Sequence, residues 1–233
     1  MRGLHIGPLA IGRIPRIVGT AVSAKTLDAA ARIARPAFDL VEIRADRMDA
    51  EWQRGARLLR EAGIPLLLTV RSALEGGNWR GAEAKRKRLY LSNLDAVDAV
   101  DVEIRSRAMK TVARAARRRG RLVIGSFHDF DGTPSMAVLR RIVWRGRAAG
   151  AHLVKIATHV GGEADLGRLL DLLAEAREPL CVVGMGPRGA EARIRLARAG
   201  SCLTYGYVDR PAAPGQPSCR DLARKLRRAR VTA

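Results

Sequence analysis

Lys155 sits inside the apolar run LVKIA and is the only lysine in any predicted strand. A lysine buried in such a run is costly unless its charge is paired, and ion pairs that serve structure alone more often use arginine. Lysine is instead the side chain that condenses with a carbonyl group to give a Schiff base, and cationic neighbours such as Arg44 and Arg71 favour the free amine this needs. His128 stands near the end of the segment VIGSFHD. A strand-end histidine is often only a hydrogen-bonded structural group. One strand along from a Schiff-base lysine, it has the chemistry of a general acid and base.

Period two sorts the other charged residues into faces. In DLVEIRAD, Glu42, Arg44 and Asp46 share one face, and Val41, Ile43 and Ala45 share the other. Thr69 and Arg71 share a face in LLLTVRS, Asp101 and Glu103 in AVDVEI, and Ser126 and His128 in VIGSFHD. Lys155 aligns with Leu153 and Ala157, opposite Val154 and Ile156. The alternative to a reactive site is a self-satisfied ion network that fixes strand register. That reading is favoured for Asp101 and Glu103, as supports for Arg or Lys neighbours.

The segments belong to a pattern repeated eight times, a short β-branched run followed by a helical stretch of about ten to fifteen residues. Strands are predicted over 14–22, 39–46, 65–72, 99–105, 121–128, 152–158, 179–185 and 202–208. Helices are predicted over 25–35, 50–62, 82–96, 106–119, 135–149, 163–177, 189–199 and 218–230. Gly120, Gly150 and Gly200 fall where helices should stop. Ser135, after Pro134, opens the amphipathic run Met136, Leu139, Ile142, Val143. Eight such units in 233 residues, with no linker or composition break, predict an α/β fold whose parallel sheet closes into a (β/α)8 TIM barrel, a single domain over residues 1–233. An open doubly wound sheet is the alternative, but it seldom needs eight even units, and the first unit lacks a phosphate-binding glycine loop. In a barrel the apolar faces pack on the helices and the polar faces point inward. Glu42, Arg44, Asp46, Arg71, Asp101, Glu103, His128 and Lys155 then converge, with His128 at the strand ends where barrel sites form.

Composition narrows the function classes. Hydrophobic residues are 47% and charged residues 28%, which excludes a disordered tail, a collagen-like fibre and a coiled coil. No apolar run approaches the ~18 residues needed to span a bilayer, and the N-terminus lacks the apolar stretch and cleavage site of a signal peptide. Cys181, Cys202 and Cys219 show no CxxC spacing, and the four histidines show no metal-ligand spacing, so the expectation is a cytoplasmic protein with neither disulfides nor a metal. The net charge of +20, with 37 arginines, raises nucleic-acid binding as a rival function. Aromatics are only 4%, without alternation of aromatic and basic residues, and the field would equally attract small anionic substrates. The segment Gly184–Gly189 matches GxGxxG, and Asp209 follows at dinucleotide spacing. Only 24 residues remain after Asp209, too few for the sheet such a fingerprint opens, and a glycine-rich loop bringing Arg193 near an anion fits better.

Seven segments in order resemble the type I 3-dehydroquinate dehydratases: VEIRAD, TVRSALEGG, VDVEI, SFHDFDGTPS, VKIA, MGPRGAEAR and PAAPGQ. The resemblance spans nearly the whole chain, and the His-to-Lys separation also fits. It implies a hydro-lyase of the shikimate pathway that converts 3-dehydroquinate to 3-dehydroshikimate by syn elimination through a lysine Schiff base, without cofactor or metal. It further implies Lys155 as nucleophile, His128 as general acid and base, and Glu75 as the group that orients His128. Glu42, Arg44, Arg71, Arg193 and Gln216 would bind substrate hydroxyls and carboxylate, PAAPGQ would close as a lid, and the enzyme would be a homodimer. The chain departs from the family where Ala212 and Ala192 replace common serines, which puts two substrate contacts in doubt. Some members cap the barrel bottom with an N-terminal hairpin, and whether the short segment MRGLHIGPLAIGR forms one is left open. A class I aldolase would share Lys155, but the His128 segment and PAAPGQ argue against it.

Overall fold

The structure is a computed structural model that describes residues 3–12, 14–33, 36–48, 52–212 and 215–228. Residues 213 and 214 of the PAAPGQ segment lie outside the described residues, as do the ends of three predicted helices at 34–35, 50–51 and 229–230.

The chain begins with a short antiparallel hairpin, β1 (Leu4–Ile6) and β2 (Leu9–Ile11). Eight strand–helix units follow: β3 (Arg16–Ala21) and α1 (Ala24–Ala31), β4 (Leu40–Arg44) and α2 (Trp52–Glu61), β5 (Leu66–Thr69) and α3 (Glu83–Ser92), β6 (Ala99–Glu103) and α4 (Met109–Arg118). The second half holds β7 (Leu122–Asp129) and α5 (Met136–Ala148), β8 (Leu153–His159) and α6 (Glu163–Glu175), β9 (Leu180–Met185) and α7 (Gly189–Arg198), β10 (Leu203–Tyr207) and α8 (Cys219–Arg228). The eight strands are parallel, in the order β10-β3-β4-β5-β6-β7-β8-β9, and form a nearly closed (β/α)8 barrel. No ladder joins β9 to β10. A single main-chain bond, Cys202 N–H to Leu180 C=O at 2.9 Å, bridges their lower ends.

All eight predicted strands and helices have counterparts, most with shorter ends, while β7 and β8 each run one residue past the predicted end, to Asp129 and His159. The strand predicted to Ser72 stops at Thr69, because a 3₁₀ turn (Ala73–Glu75) capped by the Ser72 hydroxyl follows. The helix predicted over 82–96 ends at Ser92, before a second 3₁₀ turn (Leu94–Ala96). Gly120, Gly150 and Gly200 take φ of +67°, +98° and +108°, so they end their helices in the left-handed region that glycine tolerates. Ser135 occupies the N-cap of α5, but its hydroxyl makes no capping bond.

Side chains alternate as period two requires. Val41, Ile43, Leu68, Val100, Val102, Val154 and Ile156 face outward and join Leu59, Val112, Leu139 and Leu169 of the helices in one apolar shell. The inward residues divide by height. Near the N-terminal ends of the strands Val18, Leu40, Leu67, Ala99, Leu122, Leu153 and Leu203 form a second apolar cluster, which Ile6 and Ile11 of the hairpin plug from below. Full burial is worth about 1.5–3 kcal/mol for each large aliphatic side chain. The inward positions above this cluster are polar: Thr20, Glu42, Thr69, Asp101, Lys155 and, on β7 after the apolar Ile124, Ser126.

Candidate active site

Lys155 projects from the middle of β8 and is 5% exposed. Its Nζ lies 3.0 Å from Asp101 Oδ2. The other oxygen, Oδ1, accepts from Arg71 Nη2 at 2.6 Å and from the Ser126 hydroxyl at 2.5 Å. Arg71 Nη1 donates to Ser126 Oγ at 2.7 Å and meets Glu103 Oε1 at 3.1 Å, and Glu103 also pairs with Arg86 of α3. Asp101 and Glu103 thus support cations, as their strands suggested. Burial works against ionisation of Asp101, yet the positive charges of Arg71 and Lys155 outweigh it and hold the carboxyl far below its ordinary range. The group nearest Lys155 Nζ is therefore a carboxylate, where the sequence emphasised cations.

His128 stands near the end of β7 and is fixed twice by one carboxylate. Glu75 Oε2 accepts from its backbone N–H at 3.0 Å and contacts Nδ1 at 2.9 Å. A carboxylate at Nδ1 holds the ring proton there and leaves the Nε2 lone pair free. Burial, with the positive charges of Arg71 and Lys155, lowers the pKa of His128 well below its ordinary value, so the ring is neutral at neutral pH. Burial also raises the pKa of Glu75, against the pull of Arg71 and Arg105. The sequence Glu75-Gly76-Gly77 follows from crowding. A Cβ on Gly77 would stand 2.1 Å from the Arg71 carbonyl oxygen, and one on Gly76 would strike the Phe130 ring at 2.3 Å.

The far wall is built for a polar ligand. Glu42 accepts from Thr20 at 3.0 Å and Thr69 at 2.8 Å. Gln216 donates to Thr20 Oγ1 at 3.2 Å and accepts from the Ala212 N–H at 2.7 Å. Arg44 forms a two-pronged pair with Asp46 at 2.9 and 2.8 Å. Arg193 is different. It is 5% exposed and donates only to carbonyls, of Gly184 at 3.1 Å and Tyr205 at 2.6 Å. No described carboxylate pairs with it, and burial pulls its pKa down to about 10. An uncompensated guanidinium in such a place is an acceptor site for an anion.

Lys155, His128, Glu75, Glu42, Arg44, Arg71, Arg193 and Gln216 all line one cavity of about 160 Å³ at the C-terminal end of the barrel. A larger groove of about 620 Å³ runs outside the barrel, between Phe127 and α5, and contains neither Lys155 nor His128. Tyr205 and Arg47 also line the site cavity, and both escaped the sequence reading. Tyr205 carried a signal, since it shares inward parity with Leu203. Among the described residues no cluster of His, Cys, Asp or Glu is disposed to hold a metal ion, and no helix is long and apolar enough to cross a membrane. The glycines of the GxGxxG segment serve close packing, for a Cβ on Gly184 would lie 2.4 Å from that of Ala192. Asp209 accepts from Thr26 Oγ1 at 2.6 Å and so ties the end of the last strand to α1.

The family model for type I 3-dehydroquinase matches residues 17–231. The chain belongs to the type I 3-dehydroquinase family. Among curated relatives, 3-dehydroquinate dehydratase from Methanosarcina barkeri is 36% identical over 229 residues, covering 91% of this chain and 94% of the relative. The crystal structure of 3-dehydroquinate dehydratase from Geobacillus kaustophilus superposes with a TM-score of 0.90 at 28% identity, covering 100% of this chain and 98% of the other. The type I 3-dehydroquinate dehydratase from Clostridium difficile, solved with covalent modified comenic acid, gives 0.85 at 26% identity and covers 100% and 99%.

Proposed function

We propose that this member of the family dehydrates 3-dehydroquinate to 3-dehydroshikimate, with Lys155 as the covalent nucleophile. The observation that carries the reading is the meeting of a buried lysine, a neutral histidine and an uncompensated arginine around one cavity. The Lys155 amine adds to the C3 ketone, and loss of water leaves an iminium. The iminium draws electrons from C2, so that carbon becomes acidic. His128 Nε2 takes the C2 proton and an enamine forms. His128 then gives that proton to the C1 hydroxyl, which departs as water. Hydrolysis of the remaining iminium releases the product and restores the amine. The lysine itself supplies the electron sink, so this sequence of steps calls on no cofactor.

In this reading Arg193 takes the substrate carboxylate, because its charge has no counterion among the described side chains. Glu42, Arg44, Arg71 and Gln216 address the hydroxyls from positions held by their own partners. Ala212 offers no hydroxyl to the ligand, and its N–H instead fixes Gln216. The covalent ligand in the C. difficile relative supports a nucleophilic mechanism. A single domain working as a homodimer belongs to the same reading. So does a cytoplasmic location, which the free buried cysteines Cys181, Cys202 and Cys219 support.

The test is borohydride reduction in the presence of 3-dehydroquinate, followed by peptide mass mapping. The expected result is a reduced ligand adduct on Lys155, absent from Lys155→Ala, which should also lose turnover by this route. Folded protein with intact substrate and no adduct would overturn the Schiff-base assignment.

A further inference from the structure

Tyr205 has no part in the steps above. It enters the lumen from β10 and is 4% exposed. Lys155 Nζ stands over its ring, 4.1 Å from the centroid. The phenol hydroxyl is buried without a hydrogen-bond partner, so hydrogen bonding does not explain its presence. Burial, reinforced by Cys181, keeps the phenol neutral, so it is no counterion to the lysine. What Tyr205 offers Nζ is the face of its ring, whose quadrupole attracts a cation within about 6 Å, most strongly where water is excluded.

The charge on Nζ changes character along the reaction. An ammonium has three N–H donors, and Asp101 takes one of them at 3.0 Å. An iminium at the same nitrogen keeps one N–H, and its charge spreads onto the former carbonyl carbon. Condensation of the ammonium with the ketone conserves that charge and releases one water. The iminium offers an acceptor such as Asp101 one N–H where the ammonium offered three, whereas an aromatic face needs no donor.

We propose that Tyr205 is a catalytic residue whose ring face touches the reacting nitrogen and stabilises the iminium against its neutral neighbours, the carbinolamine and the enamine. The proposal rests on the Schiff-base reading of Lys155. It assigns the ring face a role that the hydroxyl does not share.

The experiment replaces Tyr205 by phenylalanine and then by phenylalanines carrying one, two and three ring fluorines. Fluorination drains the face of negative potential while the shape changes little. Wild type and each variant are treated with borohydride at saturating 3-dehydroquinate, and kcat and KM are measured alongside. Tyr205→Phe should trap within about two-fold of wild type. The trapping rate should then fall stepwise with each fluorine, about ten-fold across the series, with KM nearly constant. A flat series would overturn the proposal while leaving Lys155 as nucleophile. So would a full loss in Tyr205→Phe, which would give the role to the hydroxyl. A wild-type protein that borohydride does not trap would remove the Schiff base itself, and this inference with it.

Discussion

The two ends of the lumen are made by the same strands and obey different rules. At the closed end Leu40, Leu67, Leu122 and Leu153 meet one another and the hairpin, and their contribution depends on filling space. Two to four residues further on, Arg44, Arg71, Ser126 and Lys155 meet within the open end, and their contribution depends on pairing. Two positions along a strand, roughly 6.5 Å, separate one regime from the next. The lesson is that the floor can be apolar and rigid because it need not bind anything. The open half must hold charges in place, and Arg44 and Arg71 each carry a carboxylate. Arg193, buried between two carbonyls, has none among the described residues, and that asymmetry is what a ligand carboxylate would correct.

The largest expected effect lies in the chemistry of the open end. His128→Ala should lower kcat by about 10²–10⁴-fold, the usual range for a positioned acid and base, while borohydride still traps an adduct. Unchanged kcat would remove His128 from the reaction. Next comes Asp101→Asn, which leaves Lys155 and Arg71 without their shared counterion; urea unfolding should show a loss of about 3–5 kcal/mol. The pKa of Asp101 is depressed on folding. Its contribution is therefore complete above the unfolded value of about 3.9 and drains away as pH falls through the lower folded value. The variant should accordingly show a shallower loss of stability in acid. At the floor, Leu67→Ala should cost about 2–5 kcal/mol of stability with kcat nearly unchanged. Equal damage to kcat would mean that the two ends are not separable. Arg193→Met should raise KM about 10–100-fold and leave stability much less affected than Arg71→Met, which would strand Asp101 and Glu103. The smallest effect is one of position on the pH axis: the acid limb of kcat/KM should fall well below pH 6.5, because the folded protein depresses the pKa of His128.

The open end was the more legible of the two in the sequence. Charged residues at every second position of a β-branched run are conspicuous, so Glu42, Arg44, Arg71, Asp101, Glu103 and Lys155 could be assigned to one interior. The floor was harder, since Leu40 and Leu67 resemble the outward-facing Val41 and Leu68 beside them. The hairpin stayed open in the sequence because each of its strands has only three residues, too few for alternation to show. Arg86 was lost in EAKRKR, which reads as a solvated helix face. It is 2% exposed, and Tyr90, one turn later on the same face, was the available sign that this face turns inward. Tyr205 went unread because an aromatic in a strand usually is core; its parity with Leu203 turns it inward, and the position of Lys155 over its ring sets it apart.

Seven joints of the cylinder are ladders, and the eighth is a clasp. Between β9 and β10 the fastenings are mostly side chains: Ser201, whose hydroxyl reaches the carbonyls of Val182 and Leu203 at 3.0 Å each, and Arg193, which grips Gly184 and Tyr205 near the open end. Arg193 is thus both the buckle of the cylinder and the cation to which a ligand carboxylate would dock. Thermodynamic reciprocity links the two duties. By whatever factor a tighter buckle changes affinity for the anion, the bound anion changes the tightness of the buckle by the same factor.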